Sequence, residues 1–307
     1  MIAKRVEIRF LSSVEEKRYI RDRYNVKFIK NEYLGVNKLL YEQYLLGNSE
    51  IKFMSAYTFM TFFNNVYLKY NHQLSFIKET SAQAINEAIL NKERAFKDFF
   101  RGNRGFPKFI KKSRVYDIRV TYRQRNTKVN WKIKDNRIRI PNIGYIILKE
   151  KGYLKETEQI NSITISQSGN KYYASFLIDD GAEKTQPIKS SIRKLEGVER
   201  NKDDIAIDIG LETYVTVSDG RTYKLDKKRI KKYNKKLKKN DKKRSRQLKC
   251  CKKKKVRKNI EKTNKKARVI NHKKSQYIKS KIQNIVDDVV KTKPRSITIE
   301  NLNVQGM

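Results

Sequence analysis

The 307-residue chain reads as an α+β multidomain protein: a β-barrel-like domain with an inserted helical region, followed by an incomplete α/β domain. Three observations predict it. Apolar residues recur at helical spacing to about residue 100, then alternate with polar neighbours from about 115 to 180. Short apolar strands return after residue 204 and bracket a lysine-rich stretch that carries its own helical stripe.

The opening run Arg5-Val6-Glu7-Ile8-Arg9-Phe10 alternates like a half-exposed strand. Ser13-Val14-Glu15-Glu16 has the capping-box spacing that starts a helix. In the helical region that follows, Ile85, Ala88, Ile89, Lys92, Ala95, Phe96 and Phe99 share one face. Gly102, Gly105 and Pro107 end it. Phe53, Tyr57, Phe59, Phe62, Phe63 and Tyr67 are aromatic residues able to stack on bases, although their helical spacing favours core packing.

In the β region Tyr116, Ile118, Val120 and Tyr122 alternate with polar residues, as do Val129, Trp131 and Ile133. Asp135-Asn136 offers a turn before Ile138 and Ile140, and Pro141 stops that strand. Ile163 and Ile165 lead through Ser168-Gly169-Asn170 into Tyr172-Tyr173-Ala174-Ser175-Phe176, a hairpin. A small barrel or sandwich is expected, and because one strand precedes the helices, they read as an insertion. The boundaries are 1–12 and 108–180 for the β domain, 13–107 for the helical region and 181–203 for a polar linker.

From 204 to 307 the order is strand 204–209, strand 213–218, a turn at Asp219-Gly220, strand 221–225, a Lys-rich helical segment 226–292, and a strand at Ile297-Thr298-Ile299-Glu300. Ile278, Ile282, Ile285 and Val289 recur at steps of four, three and four, so one helix face packs on something.

Composition narrows the partners. Lys plus Arg number 73 against 32 Asp plus Glu, a net charge of +41. Such self-repulsion is relieved most simply by a polyanion, and nucleic acid releases counterions on binding. Residues 221–280 alone hold 29 Lys or Arg against 3 acids. No run of about 18 apolar residues suggests a membrane span, and the N-terminus alternates charge too early for a signal peptide. Cys250 and Cys251 are adjacent and form neither a disulfide framework nor a zinc pair. His72 and His272 stand alone. A reducing, intracellular, nucleic-acid-associated protein is expected.

Asp208 on the first strand of this last region and Glu300 on the fourth match the leading half of an RNase H-like fold. Carboxylates suit such sites because Mg²⁺ is a hard ion that takes oxygen ligands and keeps phosphate oxygens in its shell. The alternative reading has Asp208 opening a turn with Gly210 and Glu300 pairing a lysine. For the lysines the alternatives are a solvated run or a groove that grips nucleic-acid backbone. The candidates are Lys227, Lys228, Arg229, Lys231, Lys232, Lys235, Lys236, Lys242, Lys243, Arg244, Lys252, Lys253, Lys254 and Lys255.

Asp204-Ile205-Ala206-Ile207-Asp208-Ile209-Gly210-Leu211, running on to Ser218-Asp219-Gly220, resembles the first RuvC motif of the TnpB (OrfB) family. These are transposon-associated proteins related to type V CRISPR effectors. Ile299-Glu300-Asn301-Leu302-Asn303-Val304-Gln305-Gly306-Met307 resembles the second motif. Ala95-Phe96-Lys97-Asp98-Phe99-Phe100-Arg101 with Gly105-Phe106-Pro107-Lys108-Phe109 is similar to the family's upstream segment, and Ile140-Pro141-Asn142-Ile143-Gly144 and Lys171-Tyr172-Tyr173 also have counterparts there.

The resemblance implies an RNA-guided DNA endonuclease built as a wedge-type β domain, a helical recognition region and RuvC. Asp208 and Glu300 become catalytic acids that bind Mg²⁺ or Mn²⁺. The implied partners are a guide RNA from the transposon end, double-stranded target DNA, the RNA–DNA heteroduplex held along the lysines, and an accompanying transposase. The implied location is the prokaryotic cytoplasm, at the nucleoid. Family members continue into a zinc ribbon and a third acidic motif, whereas this sequence stops seven residues after Glu300. The expectation is therefore a truncated copy with no zinc site and little cleavage of its own. The competing readings are a nuclease-dead RNA-guided DNA binder or repressor and a non-specific basic remnant of a transposase.

Overall fold

Strand β1 (Ile2–Phe10) lies in the middle of a sheet whose other strands come more than a hundred residues later. The computed structural model describes residues 1–48, 50–123, 131–179, 203–210, 213–250 and 254–299. It divides the chain into two units, residues 1–184 and 185–307.

In the first unit the chain leaves β1 for helices α1 (Ser13–Leu45), α2 (Ala56–Phe62), α3 (Leu68–Tyr70) and α4 (Ala82–Phe100), with a π-helical turn at Phe63–Tyr67. It returns as β2 (Val120–Arg123), β3 (Ile133–Lys134), β4 (Arg137–Ile140), β5 (Gly144–Leu148), β6 (Gln159–Ser168) and β7 (Lys171–Asp179). The strand order is β2-β6-β7-β1-β5-β4-β3, and every pairing is antiparallel. The sheet curls into a half-barrel. Among the described residues its two end strands do not pair, so the expected barrel is open.

Local chemistry sets the turns. Asp135 and Asn136 both take positive φ, 51° and 56°, which gives the tight β3–β4 turn. Gly169, at φ 65°, turns β6 into β7. Val6, Ile8, Tyr122, Ile138, Ile146, Ile163, Ile165 and Phe176 are buried in the core against α1 and α4. α4 buries Ile85, Ala88, Ile89, Lys92 and Phe96, as its periodicity predicts, while Ala95 and Phe99 are half-buried. Its C-terminus closes with Asn103 N–H donating to Asp98 and Gly102 N–H to Phe99, Gly102 at φ 75°.

Three local expectations shift. The capping box of α1 sits one residue early: the Ser12 hydroxyl accepts from Val14 N–H, and the Glu15 carboxylate accepts from Ser12 N–H at 2.9 Å. Tyr116 lies in a 3-10 turn (Lys112–Asp117) instead of a strand, because pairing with β6 begins only at Val120. Of the aromatics, Phe59 and Phe63 are buried and Phe53 and Tyr67 pack against the core, but Tyr57 and Phe62 are exposed. Val129 and the linker residues 181–202 lie outside the described residues.

The second unit holds β8 (Asp204–Asp208), β9 (Val215–Val217), β10 (Thr222–Tyr223), α5 (Lys227–Lys249), α6 (Lys254–Lys291) and β11 (Ser296–Ile299). The sheet order is β10-β9-β8-β11, with β11 parallel to β8 and the other pairs antiparallel. Ile205, Val215, Val217 and Val289 form its small core, with Ile207 and Ile285 packed alongside. The stripe read along Ile278, Ile282, Ile285 and Val289 therefore reaches this core only at its last two members, and Ile282 is exposed. The lysine-rich stretch is a pair of helices packed on each other, α5 and α6. Asp226 caps α5 through Arg229 N–H at 2.9 Å.

Candidate active site and nucleic-acid interface

Alternation along β8 decides what Asp208 can do. Ile205 and Ile207 turn toward the core formed with β9 and α6, so Asp204, Ala206 and Asp208 take the opposite face. The two acids then differ. Asp204 is tied up: Arg295 donates to it through Nε at 3.1 Å and Ser296 through its hydroxyl at 2.6 Å. The Arg295 guanidinium, followed by Ser296, holds the Asp204 carboxyl below the usual range. This cluster fastens the start of β11 to the start of β8. Asp208 sits at the other end of β8, exposed, and among the described residues its side chain has no hydrogen-bond or ionic partner.

After Asp208 the chain must turn sharply. A Cβ on Gly210 would stand 2.7 Å from the backbone oxygen of Thr213, a contact only glycine avoids. Ser218 braces the middle of β8, since its hydroxyl accepts from Ala206 N–H at 3.0 Å. The register of β8 with β11 pairs Ile207 with Ile299, the residues immediately before the two predicted acids. Glu300 itself lies outside the described residues. Among those described, no cluster of three or more His, Cys, Asp or Glu could hold a metal ion. The predicted donor set, Asp208 and Glu300, is oxygen-only and fits a hard divalent cation.

The predicted cations on α5 are all exposed: Lys227, Lys228, Arg229, Lys231, Lys232, Lys235, Lys236, Lys242, Lys243 and Arg244. Arg229 has a second role, with its guanidinium 4.4 Å from the Tyr277 ring centre, where it helps join α5 to α6. Lys254 and Lys255 belong to the start of α6, while Lys252 and Lys253 lie outside the described residues. Sequence reading missed Lys238, Lys239, Arg246 and Lys249, equally exposed on α5. Helical periodicity through the run identifies them, because the inward positions Ile230, Tyr233, Leu237 and Asn240 mark every other face as solvent. Cys250 is an exposed free thiol.

A second cationic cleft, of about 1060 Å³, lies in the first unit along β3–β5. Arg18, Lys132, Lys134, Arg137 and Arg139 line it with Tyr145, the register partner of Arg139. Phosphate contacts combined with an aromatic face suit a nucleic-acid strand. No single lysine run announces this cleft, because its cations alternate along short strands and meet only in the fold.

No helix among the described residues is long and apolar enough to cross a membrane. No protein-family model matches the chain. It is similar to "Putative RNA-guided DNA endonuclease InsQ" of Escherichia coli (strain K12), with 24% identity over 151 residues, which are 49% of this chain and 33% of that protein. The match thus spans about a third of its relative's length. At family level this supports, weakly, a TnpB-like nuclease.

Proposed function

We propose that the chain belongs to a TnpB-like, RNA-guided DNA endonuclease that hydrolyses phosphodiester bonds with Mg²⁺ or Mn²⁺. The observation that carries the reading is Asp208, exposed and without a hydrogen-bond or ionic partner among the described residues, at the end of a strand whose parallel neighbour leads into Glu300. The similarity to the Escherichia coli protein supports it independently. In this reading residues 1–12 and 108–180 are a wedge-type β domain, 13–107 a helical recognition region, and 204–307 part of a RuvC domain.

Asp208 and Glu300 are the residues that would hold the ion, which when bound supplies charge to activate water and to stabilise the leaving oxygen. Asp208 serves because its backbone is fixed by pairing on both sides of β8, so the carboxylate is placed without a side-chain clamp. Asp204 is excluded from this role by Arg295 and Ser296. The exposed cations of α5 grip the heteroduplex through its backbone without reading sequence. A guide RNA from the transposon end and double-stranded target DNA are the partners. An accompanying transposase and a cytoplasmic, nucleoid location follow from the same reading.

The test incubates the protein with RNA from the flanking element, Mg²⁺ and a matched duplex with randomised flanks. The expected result is weak guide-dependent cleavage that disappears in Asp208→Ala. Cleavage that survives Asp208→Ala would sink the assignment. Guide-dependent protection with no cleavage would leave an RNA-guided binder in its place.

A further inference from the structure

We propose that Asp204 is a positioning residue: with Arg295 and Ser296 it pins the register of β11 on β8, and through that register sets Glu300 beside Asp208. This rests on the proposed metal-binding role of the two acids, and the experiment below separates the two.

β11 needs such a pin because the usual devices that fix a register are missing among the described residues. It runs parallel to β8, the one parallel pairing described, so no hairpin turn sets its register. Its backbone bonds to β8 repeat along the strand and do not choose between registers. Burial does not choose either. A slip of one residue normally turns a buried face to solvent, which is what forbids it. All four residues of β11 are exposed, Ile297 and Ile299 included, so the slip forfeits little. The crossover is anchored earlier, by Val289 in the core and by Arg221, which donates to the Asp288 carbonyl at 2.9 Å. The Thr292 hydroxyl and Lys293 N–H then close α6 by donating to the Val289 and Val290 carbonyls. These contacts bring the chain to the sheet edge and end before Arg295.

The cluster supplies the missing constraint. Asp204 and Ser296 are register partners, so their side chains share a face, and the Ser296 hydroxyl donates to the carboxylate at 2.6 Å. Arg295 holds the same carboxylate through Nε and Nη2, one to each oxygen. Its backbone N–H donates to the Asp203 carbonyl at 3.0 Å. A slip of one residue sends Ser296 to the other face. A slip of two brings Thr298 opposite Asp204 instead, but breaks the Arg295 backbone bond. An isolated exposed ion pair would matter little, whereas a bidentate arginine joined to a hydroxyl and a backbone bond fits one register only. Each residue of slip moves Glu300 by about 3.3 Å along the strand. That exceeds the roughly 2.1 Å of a Mg²⁺–oxygen bond, so register decides whether the two acids share an ion.

The full chain with Cys250→Ser and Cys251→Ser carries the test. Ala206→Cys with Thr298→Cys puts thiols on register partners, and the rate at which they oxidise to a disulfide reads the register. Mn²⁺ binding, followed by loss of the free ion's electron paramagnetic resonance signal, reads the site without guide or target. Asp204→Ala should slow disulfide formation and weaken Mn²⁺ binding at least about tenfold, as loss of groups that orient metal ligands does. Exchanging the pair, Asp204→Arg with Arg295→Asp, should recover both readouts. Affinity for inorganic polyphosphate, a polyanion that carries no bases, should not change in either variant. Parental disulfide formation in Asp204→Ala would overturn the inference, as would an exchange that fails to recover the two readouts. Slowed disulfide formation with parental Mn²⁺ binding would overturn it as well, and would leave the metal site standing where Asp208→Ala weakens Mn²⁺ binding. Mn²⁺ binding that Asp208→Ala leaves untouched would defeat the metal site and the positioning role together.

Discussion

Ile207 and Ile299 are register partners across the parallel strands β8 and β11, yet Ile207 packs against the core of the second unit and Ile299 is exposed. The two strands are joined by backbone hydrogen bonds and by the Asp204–Arg295–Ser296 cluster at their far end. Strand pairing fixes the backbone before each acid, and apolar burial anchors only β8. On the proposed reading Asp208 therefore serves chemistry and not folding. Asp208→Asn should lower guide-dependent cleavage by about 10²- to 10³-fold, the range for losing a key electrostatic group. Unit-two hydrogen-exchange protection and heteroduplex affinity should match the parent. A folding defect in this variant would show that the carboxylate is structural.

Gly210 makes a separable prediction about the same strand end. Adding a methyl group at this position drives it into the Thr213 carbonyl, which is backbone and cannot rotate away. Gly210→Ala should displace the turn after Asp208 and cost about 1–3 kcal/mol of local stability. Cleavage should fall at least tenfold while polyphosphate affinity stays within threefold. Parental cleavage rates would show that the turn does not position Asp208.

On the basic face, removing charge should act uniformly. Lys228, Lys232, Lys236 and Lys243 replaced together by Ala should flatten the plot of log affinity against log salt by about 3 to 4. The ratio between matched and mismatched targets should not change, because lysine supplies charge without base readout. A variant that lost discrimination while keeping its salt slope would assign sequence reading to α5.

Lys92 in the first unit gives a pH signature. Burial, and then the charge of Lys30, lower its pKa to about 8, while its ammonium donates to the Lys108 carbonyl at 3.0 Å. Between about 8 and the unfolded value of about 10.5 the unfolded chain binds more protons than the folded one. Stability from this group must therefore rise with pH across that window, by about 2 kcal/mol once partial solvation is discounted. Denaturant titration followed by the fluorescence of Trp131, which packs against the same core, reads it directly. Lys92→Met should flatten the rise. A parent whose stability falls between pH 8 and 10 would contradict the burial argument.

Much of this architecture was legible in the sequence because its elements declare one dominant period. β4, with Ile138 and Ile140 buried between exposed arginines, and α4, with its apolar stripe, follow their patterns residue for residue. β8 and the turn at Gly220 were legible for the same reason. The stripe of α1 was not. Its buried face interleaves Tyr19, Val26, Ile29 and Tyr33 with Asp22, Arg23, Asn25 and Asn37, and no hydrophobic scale registers a buried aspartate. Asp22, Asn25 and Asn37 are buried because partners distant in sequence satisfy them: Asn37 accepts from Met54 N–H at 2.7 Å, and Asn25 donates to Thr80 at 2.8 Å. The cleft around Arg137 and Tyr145 was hidden for a related reason, since its cations converge only when β3, β4 and β5 pair.

Asp22 shows how such a buried acid is sustained, and its partners make the last prediction. Burial raises its pKa, and the hydroxyls of Tyr122 and Thr80, each 2.9 Å away, act in the opposite sense as donors to the carboxylate. Asp22→Ala strands the buried Tyr122 hydroxyl and removes the acceptor of the Thr80 hydroxyl, which keeps its hydrogen bond from Asn25, and should destabilise the first unit by about 2 kcal/mol. Tyr122→Phe removes one donor, leaves Thr80 in place, and should cost about 1 kcal/mol. The double variant should then be less destabilised than the sum of the two, by about 1 kcal/mol, since the substituted ring carries no hydroxyl left to satisfy. Strict additivity in denaturant titrations would mean that water reaches Tyr122 once the carboxylate is gone, and that the pair is not a closed unit.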